Sequence, residues 1–352
     1  MYEGNRRGAG RDDQCAIDAN FIRHRLVAET VAYTPAVDVL SDVIAIMRTG
    51  EPRSARVELR APWGQRFPAA PGSAGFQVVL QGSSRLLPPS GEPIMLSAGD
   101  VVFFPHGHGY VMADAPDTPI AECDHGPADP APLFASASVD GPPTTVLLCG
   151  GYRLDPGLAH PILADLPDMI YLPARLGLRT EVRTAVELLG AEIRRPRLGA
   201  DTVVSSLLDL LLLYILRAWF DAERGHCEVG GWARALADPG VSAALDAVHR
   251  DPAHPWTVQE LGALAGLSRA AFSRRFSTLV GRSPLAYVTW WRLATAARLL
   301  RQSEAALGEI AARVGYGSEF AFATAFKREH GMAPGRYRRE GCPVPAKEVL
   351  KT

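Results

Sequence analysis

The period of the apolar positions changes several times along this chain. From Val37 to about Arg48 they recur at helical spacing, with Val39, Leu40, Val43, Ile44 and Met47 on one face. Between Arg56 and Gly150 the texture becomes short runs rich in Val, Phe, Leu and Ile (VELRAPW, GFQVVLQG, PIMLSAGDVVFFP, TTVLLCGGY) separated by Gly, Pro and Ser. Such short strands with regular turn punctuation predict a β-sandwich or barrel. After Pro173 helical spacing returns in two segments, Leu178 to Ile193 and Asp201 to Phe220, broken by RRPRLGA. The second is apolar on almost every side, so it must be covered either by its own barrel and partner helix or by a second subunit. Dimerisation through this hairpin is the expectation. Asp221 to Gly240, with Gly230-Gly231 and Asp238-Pro239-Gly240, reads as a linker.

Beyond the linker one pattern is written twice. Gly266, Ser268, Phe272, Phe276, Gly281, Pro284 and Tyr287 return as Gly315, Ser318, Phe322, Phe326, Gly331, Pro334 and Tyr337. The spacing is 50 residues from Ser268 onward and 49 before the turn, where Leu261 matches Ile310, so the second copy holds one extra residue in its turn. In each copy an apolar helical stripe runs into a glycine that tolerates the left-handed conformation, and a second helix starts at a serine N-cap. The phenylalanines sit four apart and share one face, which leaves the opposite face to solvent. Helix, glycine turn, helix with a free face is the helix-turn-helix pattern, and its repetition in register is far more specific than one match.

The stretches LGALAGLSRAAFSRRF, GRSPLAYVTWWRLATAARLL and LGEIAARVGYGSEFAFATAFKREHGMAPGRYRR resemble the double helix-turn-helix DNA-binding domain of AraC/XylS transcriptional regulators. The resemblance implies that each copy's second helix enters a major groove of promoter DNA and that a helix from Pro284 to Arg301 joins the copies. By position it assigns base edges to Ala270, Ser273 and Arg274 in the first copy and to Glu319, Phe320, Ala323 and Thr324 in the second. Glu319 has a second reading, as a charge serving the helix dipole. Arg274 suits guanine and Phe320 a thymine methyl. Arg269, Arg275, Arg282, Arg292, Lys327, Arg328 and Arg336 are expected to meet phosphates or solvent, giving register without sequence information.

Charge by region sharpens this. The whole chain carries −1, but residues 241–340 hold 14 Lys/Arg against 8 Asp/Glu while residues 1–240 are net acidic. A basic module attached to an acidic one suits a phosphate-binding domain on a partner that stays off the duplex. The start, MYEGNRRGAGRDDQ, is polar with no apolar stretch after it, so a cytoplasmic protein is expected. The run Leu207 to Phe220 carries Asp209 and Arg217 and is shorter than the ~20 residues that span a bilayer, so no membrane partner is expected.

The segment Gly99-Asp100-Val101-Val102-Phe103-Phe104-Pro105-His106-Gly107 is similar to the second motif of cupins, double-sheet barrels. Where that family places a metal-ligand histidine this chain has Tyr110, and GFQVVLQGSSRLL lacks the His-x-His pair and glutamate of the first motif. The resemblance therefore implies a non-catalytic sensor barrel without cofactor or metal, not an enzyme; a metal-dependent cupin enzyme is the competing class. Trp63, Phe67, Phe76, Phe104 and Tyr110 are candidates to line a small-molecule pocket or simply to fill the barrel. His106, His108, Cys123 and His125 have donors suited to zinc or copper, but solvated turn histidines with Cys123 near a strand end is the preferred reading. Cys123 and Cys149 are candidates for thiol sensing, with a plain strand cysteine the alternative for Cys149. Five scattered cysteines fit neither a disulfide framework nor a zinc knuckle.

The expected protein is thus α+β and multidomain: a flexible tail (1–36), a cupin-like sensor (37–155), a helical dimerisation hairpin (156–225), a linker (226–240), a double helix-turn-helix domain (241–340) and a short tail (341–352). A homodimer regulating transcription in response to a small molecule is expected, with RNA polymerase as a further partner if it activates.

Overall fold

Alternation along the strands decides which side of the barrel each residue faces. In the computed structural model, which describes residues 39–122, 134–154, 160–174, 180–223 and 231–340, α1 (Val39–Met47) leads into β1 (Arg48–Leu59), β2 (Gly64–Phe67), β3 (Ser73–Gln81), β4 (Ser83–Leu87), β5 (Ile94–Ser97), β6 (Val101–Phe104), β7 (Tyr110–Ala113), β8 (Ala121–Glu122), β9 (Phe134–Ala137) and β10 (Thr145–Leu154). After α2 (Pro161–Ala164), β11 (Ile170–Leu172) pairs antiparallel with β6 at the edge of its sheet. One sheet runs β11-β6-β3-β10-β1-β9, the other β5-β4-β7-β2-β8.

Val102 and Phe104 of β6 point between the sheets with Val79, Leu86, Met112 and Leu147, while Val101 and Phe103 point outward into a second core beneath the helices. Period-two alternation with both faces covered explains why VVFF reads as an unbroken apolar run. Asp100, at the head of β6, is buried and satisfied by three donors: Ser97 N (2.8 Å), Tyr171 Oη (3.0 Å) and Ala174 N (2.8 Å). Its partner Tyr171 lies in β11, so the barrel extends to Leu172 rather than ending at 155; a three-residue strand has too little pattern to be read in advance.

The hairpin is α3 (Thr180–Arg194) and α4 (Ala200–Glu223), broken where RRPRLGA predicts. Val204, Leu208, Leu211, Leu212, Ile215 and Leu216 of α4 join the core over the barrel, and Tyr152 Oη donates to Leu208 O at 2.6 Å. Among the described residues α4 is the one helix long and apolar enough to cross a membrane. Its opposite side keeps Val203, Ser206, Leu210 and Arg217 exposed, with Leu213 and Tyr214 half-buried. These positions follow a 3.5-residue repeat, the seam of a coiled coil.

The remaining helices are α5 (Trp232–Ala237), α6 (Pro239–Arg250), α7 (Val258–Leu264), α8 (Arg269–Val280), α9 (Pro284–Gln302), α10 (Leu307–Arg313), α11 (Glu319–His330) and α12 (Pro334–Glu340). Within the expected linker, the described residues from Gly231 on form α5 and the start of α6, and residues 226–230 lie outside the described residues. Trp232 is buried, and Asp238, read as turn chemistry, accepts from Gly240 N and Val241 N as the N-cap of α6, with Pro239 in the first helical turn. Asp-Pro serves a helix start as readily as a turn. The two tails, residues 1–36 and 341–352, lie outside the described residues.

A buried hydrogen-bond chain joins the two halves. Ile162 N–H donates to His160 Nδ1 (3.0 Å), which fixes the His160 proton on Nε2, donating to Tyr287 Oη (3.2 Å). The tyrosine hydroxyl then donates to His249 Nε2 (2.7 Å), and His249 Nδ1–H donates to the Asp42 carboxylate (3.2 Å). Each ring nitrogen in the chain then has a single role, donor or acceptor. Burial, then the His249 and Arg282 charges, holds the His160 pKa well below 6.5; burial also lowers that of His249, outweighing Asp42, which raises it. Both imidazoles are therefore neutral in the fold, whereas an unfolded chain protonates them below about 6.5. Stability is fully present above that value and falls as pH drops beneath it, by up to about 1.4 kcal/mol per pH unit for each ring. Urea midpoints from pH 8 to 5 should show this loss, reduced in His160→Asn, which keeps an N-cap oxygen. Equal slopes in parent and variant would show that His160 contributes nothing to it.

Candidate nucleic-acid interface

The two helix-turn-helix units close their first helices with the same pair of backbone hydrogen bonds. After α7, Gly266 takes φ 66; its N–H reaches Ala263 O (3.1 Å) and Leu267 N–H reaches Gly262 O (2.9 Å), closing the helix end. After α10, Gly315 takes φ 80, with Gly315 N–H on Ala312 O (3.0 Å) and Tyr316 N–H on Ala311 O (2.8 Å). Ser268 Oγ then accepts from Ala271 N (3.4 Å) and Ser318 Oγ from Ala321 N (3.2 Å). The extra residue of the second turn is Gly317, which has open space around it. Helices α8 and α11 are each 12 residues long and each ends on a left-handed glycine, Gly281 (φ 76) and Gly331 (φ 74).

Phe272, Phe276, Phe322 and Phe326 are fully buried, so the opposite faces of α8 and α11 are what each unit offers to solvent. Arg269, Ala270 and Arg274 are exposed and Ser273 half-buried on the first; Glu319, Phe320, Thr324 and Lys327 are exposed and Ala323 half-buried on the second. Phe320 is 82% exposed, so its ring leaves apolar surface in water that burial elsewhere would stabilise. The Glu319 carboxylate leans back over the start of α10, where a Cβ at Gly308 would lie 3.4 Å from its Oε2. Joining the units, the 19 residues of α9 form a rod of about 28 Å, close to the ~34 Å between successive major-groove faces.

Two arginines expected at phosphates or solvent also have partners inside the domain. Arg292 donates from Nε to Pro252 O (2.6 Å) and from its terminal nitrogen to His254 O (2.7 Å), which ties it to the loop before α7. Arg275 pairs with Asp238. Burial alone would raise the Asp238 pKa, but Val241 N–H, the Arg275 guanidinium and Gly240 N–H together hold it below the usual carboxylate value. Arg282 lies over the Trp290 ring at 5.6 Å. Among the described residues, Arg269, Arg274 and Lys327 enter no ion pair. Neither the burial of Trp232 nor the capping role of Asp238 was legible beforehand; the Asp-Pro pair and an isolated Trp after Gly-Gly were the available signals.

In the barrel, Tyr110 is stacked between Phe104 (4.0 Å) and Phe67 (4.7 Å), and its hydroxyl meets Gln77 Nε2 at 2.8 Å. The place of a cupin metal ligand is thus taken by a packed aromatic ring. Trp63 and Phe104 fill the space between the sheets, whereas Phe76 faces the helix side, so the candidate pocket residues do not share one surface. His106 Nε2 meets Leu166 O (3.0 Å) and His108 lies 3.4 Å from Asp168. Cys123 and His125 lie outside the described residues, among which no group of three or more metal donors occurs. Cys149 is half-buried in β10 and its thiol donates to Ala55 O at 3.4 Å.

Two family models match: Cupin over residues 38–221 and helix-turn-helix domain over residues 261–340. An AraC-like transcription regulator of Streptomyces lividans is 34% identical over 310 residues, covering 86% of this chain and 98% of the relative. The chain belongs to the AraC family of transcription regulators. A similar protein of Streptomyces antibioticus is 34% identical over 87% of this chain and 100% of the relative, and the regulator MtrA of Neisseria gonorrhoeae is 28% identical over 87% and 99%. The DNA-binding domain of AdpA, solved with a target DNA, is 34% identical over 29% of this chain and 91% of that one, with a TM-score of 0.28. This AraC-family member is a DNA-binding regulator with a β-rich cupin domain ahead of a helical DNA-binding domain.

Proposed function

We propose that the protein is a cytoplasmic homodimer that binds a specific promoter sequence through both recognition helices, and that a small molecule sensed by its N-terminal domain modulates this binding. The carrying observation is the pair of identically capped helices, α8 and α11, whose exposed faces carry Arg274 and Phe320. Ala270, Ser273, Arg274, Phe320, Ala323 and Thr324 meet base edges in this reading, and Arg269 and Lys327 meet phosphates; Glu319 limits the bases accepted beside it. An activator of this kind would also touch RNA polymerase.

Duplex selected from a random pool by the full chain, then titrated with Arg274→Ala, tests the reading. The variant should lose about 1–3 kcal/mol at the preferred site and relax preference at one base pair. Equal weakening on selected and random duplex would make Arg274 a phosphate contact, and failure of the parent to enrich any sequence would sink the reading altogether.

A further inference from the structure

Beside the first recognition helix lies a cleft of about 700 Å³, between α8 and the segment that runs from α5 into α6. Its wall on α8 is Ala271, Arg274, Arg275 and Thr278, positions three and four apart that share one edge of a helix. Arg274 belongs both to this edge and to the reading face with Ala270 and Ser273, so the cleft borders the surface offered to bases. The facing wall carries Arg234 and Asp238.

Charge on these walls is unequal. Three arginines line the cleft against one carboxylate, Asp238, which is already engaged by Arg275, Gly240 N–H and Val241 N–H. Arg234 and Arg274 are left over: both are exposed, and neither side chain enters an ion pair among the described residues. Like charges facing one cleft are unfavourable until an anion is present. Arg234 is also held in place. Its helix buries Trp232, Ala233 and Ala235 and packs against α6 and α8. One end is tied by Trp232 N–H to Asp165 Oδ2 (2.8 Å), the other by Asp238 N–H to Arg234 O (2.9 Å). Little backbone remains to be ordered when the guanidinium binds.

Dimensions decide what meets this edge. A helix with its side chains is about 10–12 Å across and the major groove about 12 Å wide, so a helix lying in the groove has a phosphate strand along each edge. With α8 seated on bases through Arg274, the edge carrying Arg275 and Thr278 faces one of those strands, and Arg234 stands on the far wall of the cleft that receives it.

We propose that Arg234 of α5, which lies ahead of the repeated units, holds a backbone phosphate of the duplex beside the segment read by α8. The cleft is then the seat of that sugar-phosphate strand. Because Asp165 anchors α5, the contact also ties the duplex to the N-terminal domain. This rests on the proposed DNA reading and adds a third contacting element to its two recognition helices.

The full-length parent, Arg234→Gln, Arg234→Lys and Arg183→Gln are titrated by fluorescence anisotropy against the selected duplex and a random one, over about 50 to 200 mM KCl. Losing one phosphate contact lowers the slope of log affinity on log salt by about 0.9, so the parent's advantage over Arg234→Gln should shrink about 3.5-fold across that range. The effect should be the same on both duplexes, with base preference intact. Arg234→Lys should keep the parent's slope. Arg183→Gln, which removes the same charge from α3, should keep it too. A methylphosphonate at one phosphate flanking the base pair that Arg274 selects should weaken the parent and leave Arg234→Gln unaffected. An unchanged slope in Arg234→Gln, a loss confined to the selected duplex, or an equal change in Arg183→Gln would overturn the proposal. Enrichment of a sequence by the parent, scored with the same protein, separates this failure from failure of the DNA-binding reading. If Arg234→Gln melts early, the slope of Arg234→Lys and the methylphosphonate scan of the parent decide: a parent indifferent to every flanking phosphate on that side overturns the proposal.

Discussion

Phe322→Ala is expected to lose about 3–5 kcal/mol of stability, a large fraction of the margin of an ordinary domain of about 5–15 kcal/mol. The ring is fully buried between Tyr316 (5.7 Å) and Phe326 (5.6 Å), so its removal leaves a cavity under α11 that the surroundings fill only in part. The first unit has its own core around Phe272 and Phe276, and the protected stretch of operator should shrink toward a single groove segment. Urea denaturation of the full chain and footprinting of a selected duplex measure the two effects. Stability within 1 kcal/mol of the parent would mean that α11 is not held by this core.

Leu210→Glu should produce the largest functional loss. Leu210 is 37% exposed on the outer side of α4, so the substitution leaves the barrel-facing core untouched while placing a charge in the 3.5-residue seam. Sedimentation should then report a monomer. Because two linked DNA-binding domains gain about 10²–10⁴ in avidity over one, affinity for a two-half-site operator should fall by a factor in that range, with little change on a single half-site. A variant that still sediments as a dimer would place the subunit interface elsewhere.

What was legible in the sequence is what local chemistry determines. Serine caps, left-handed glycines and phenylalanines four apart act within one or two helical turns, so the turns between α7 and α8 and between α10 and α11, and the starts of α8 and α11, were readable. The strand runs were readable too, but not the order β11-β6-β3-β10-β1-β9, which depends on pairings between distant segments. Arg292 shows the limit clearly: nothing in its own neighbourhood signals that its partners are the carbonyls of Pro252 and His254. Apolarity all round α4 said that it had to be covered, and the barrel covers one side. Trp232 was hidden because a glycine pair before it suggested a flexible connection, whereas Gly231 serves as the N-cap of α5.

The one-way sequence of donors from Ile162 through His160, Tyr287 and His249 to Asp42 limits how this regulator can be recombined. A chimera that grafts its barrel onto a foreign reading head keeps Asp42 and His160 but parts them from Tyr287 and His249. Buried polar groups would then face whatever the new partner supplies. Exchange between relatives should succeed where all four positions travel together, and produce insoluble fusions where the cut is made by domain boundary alone.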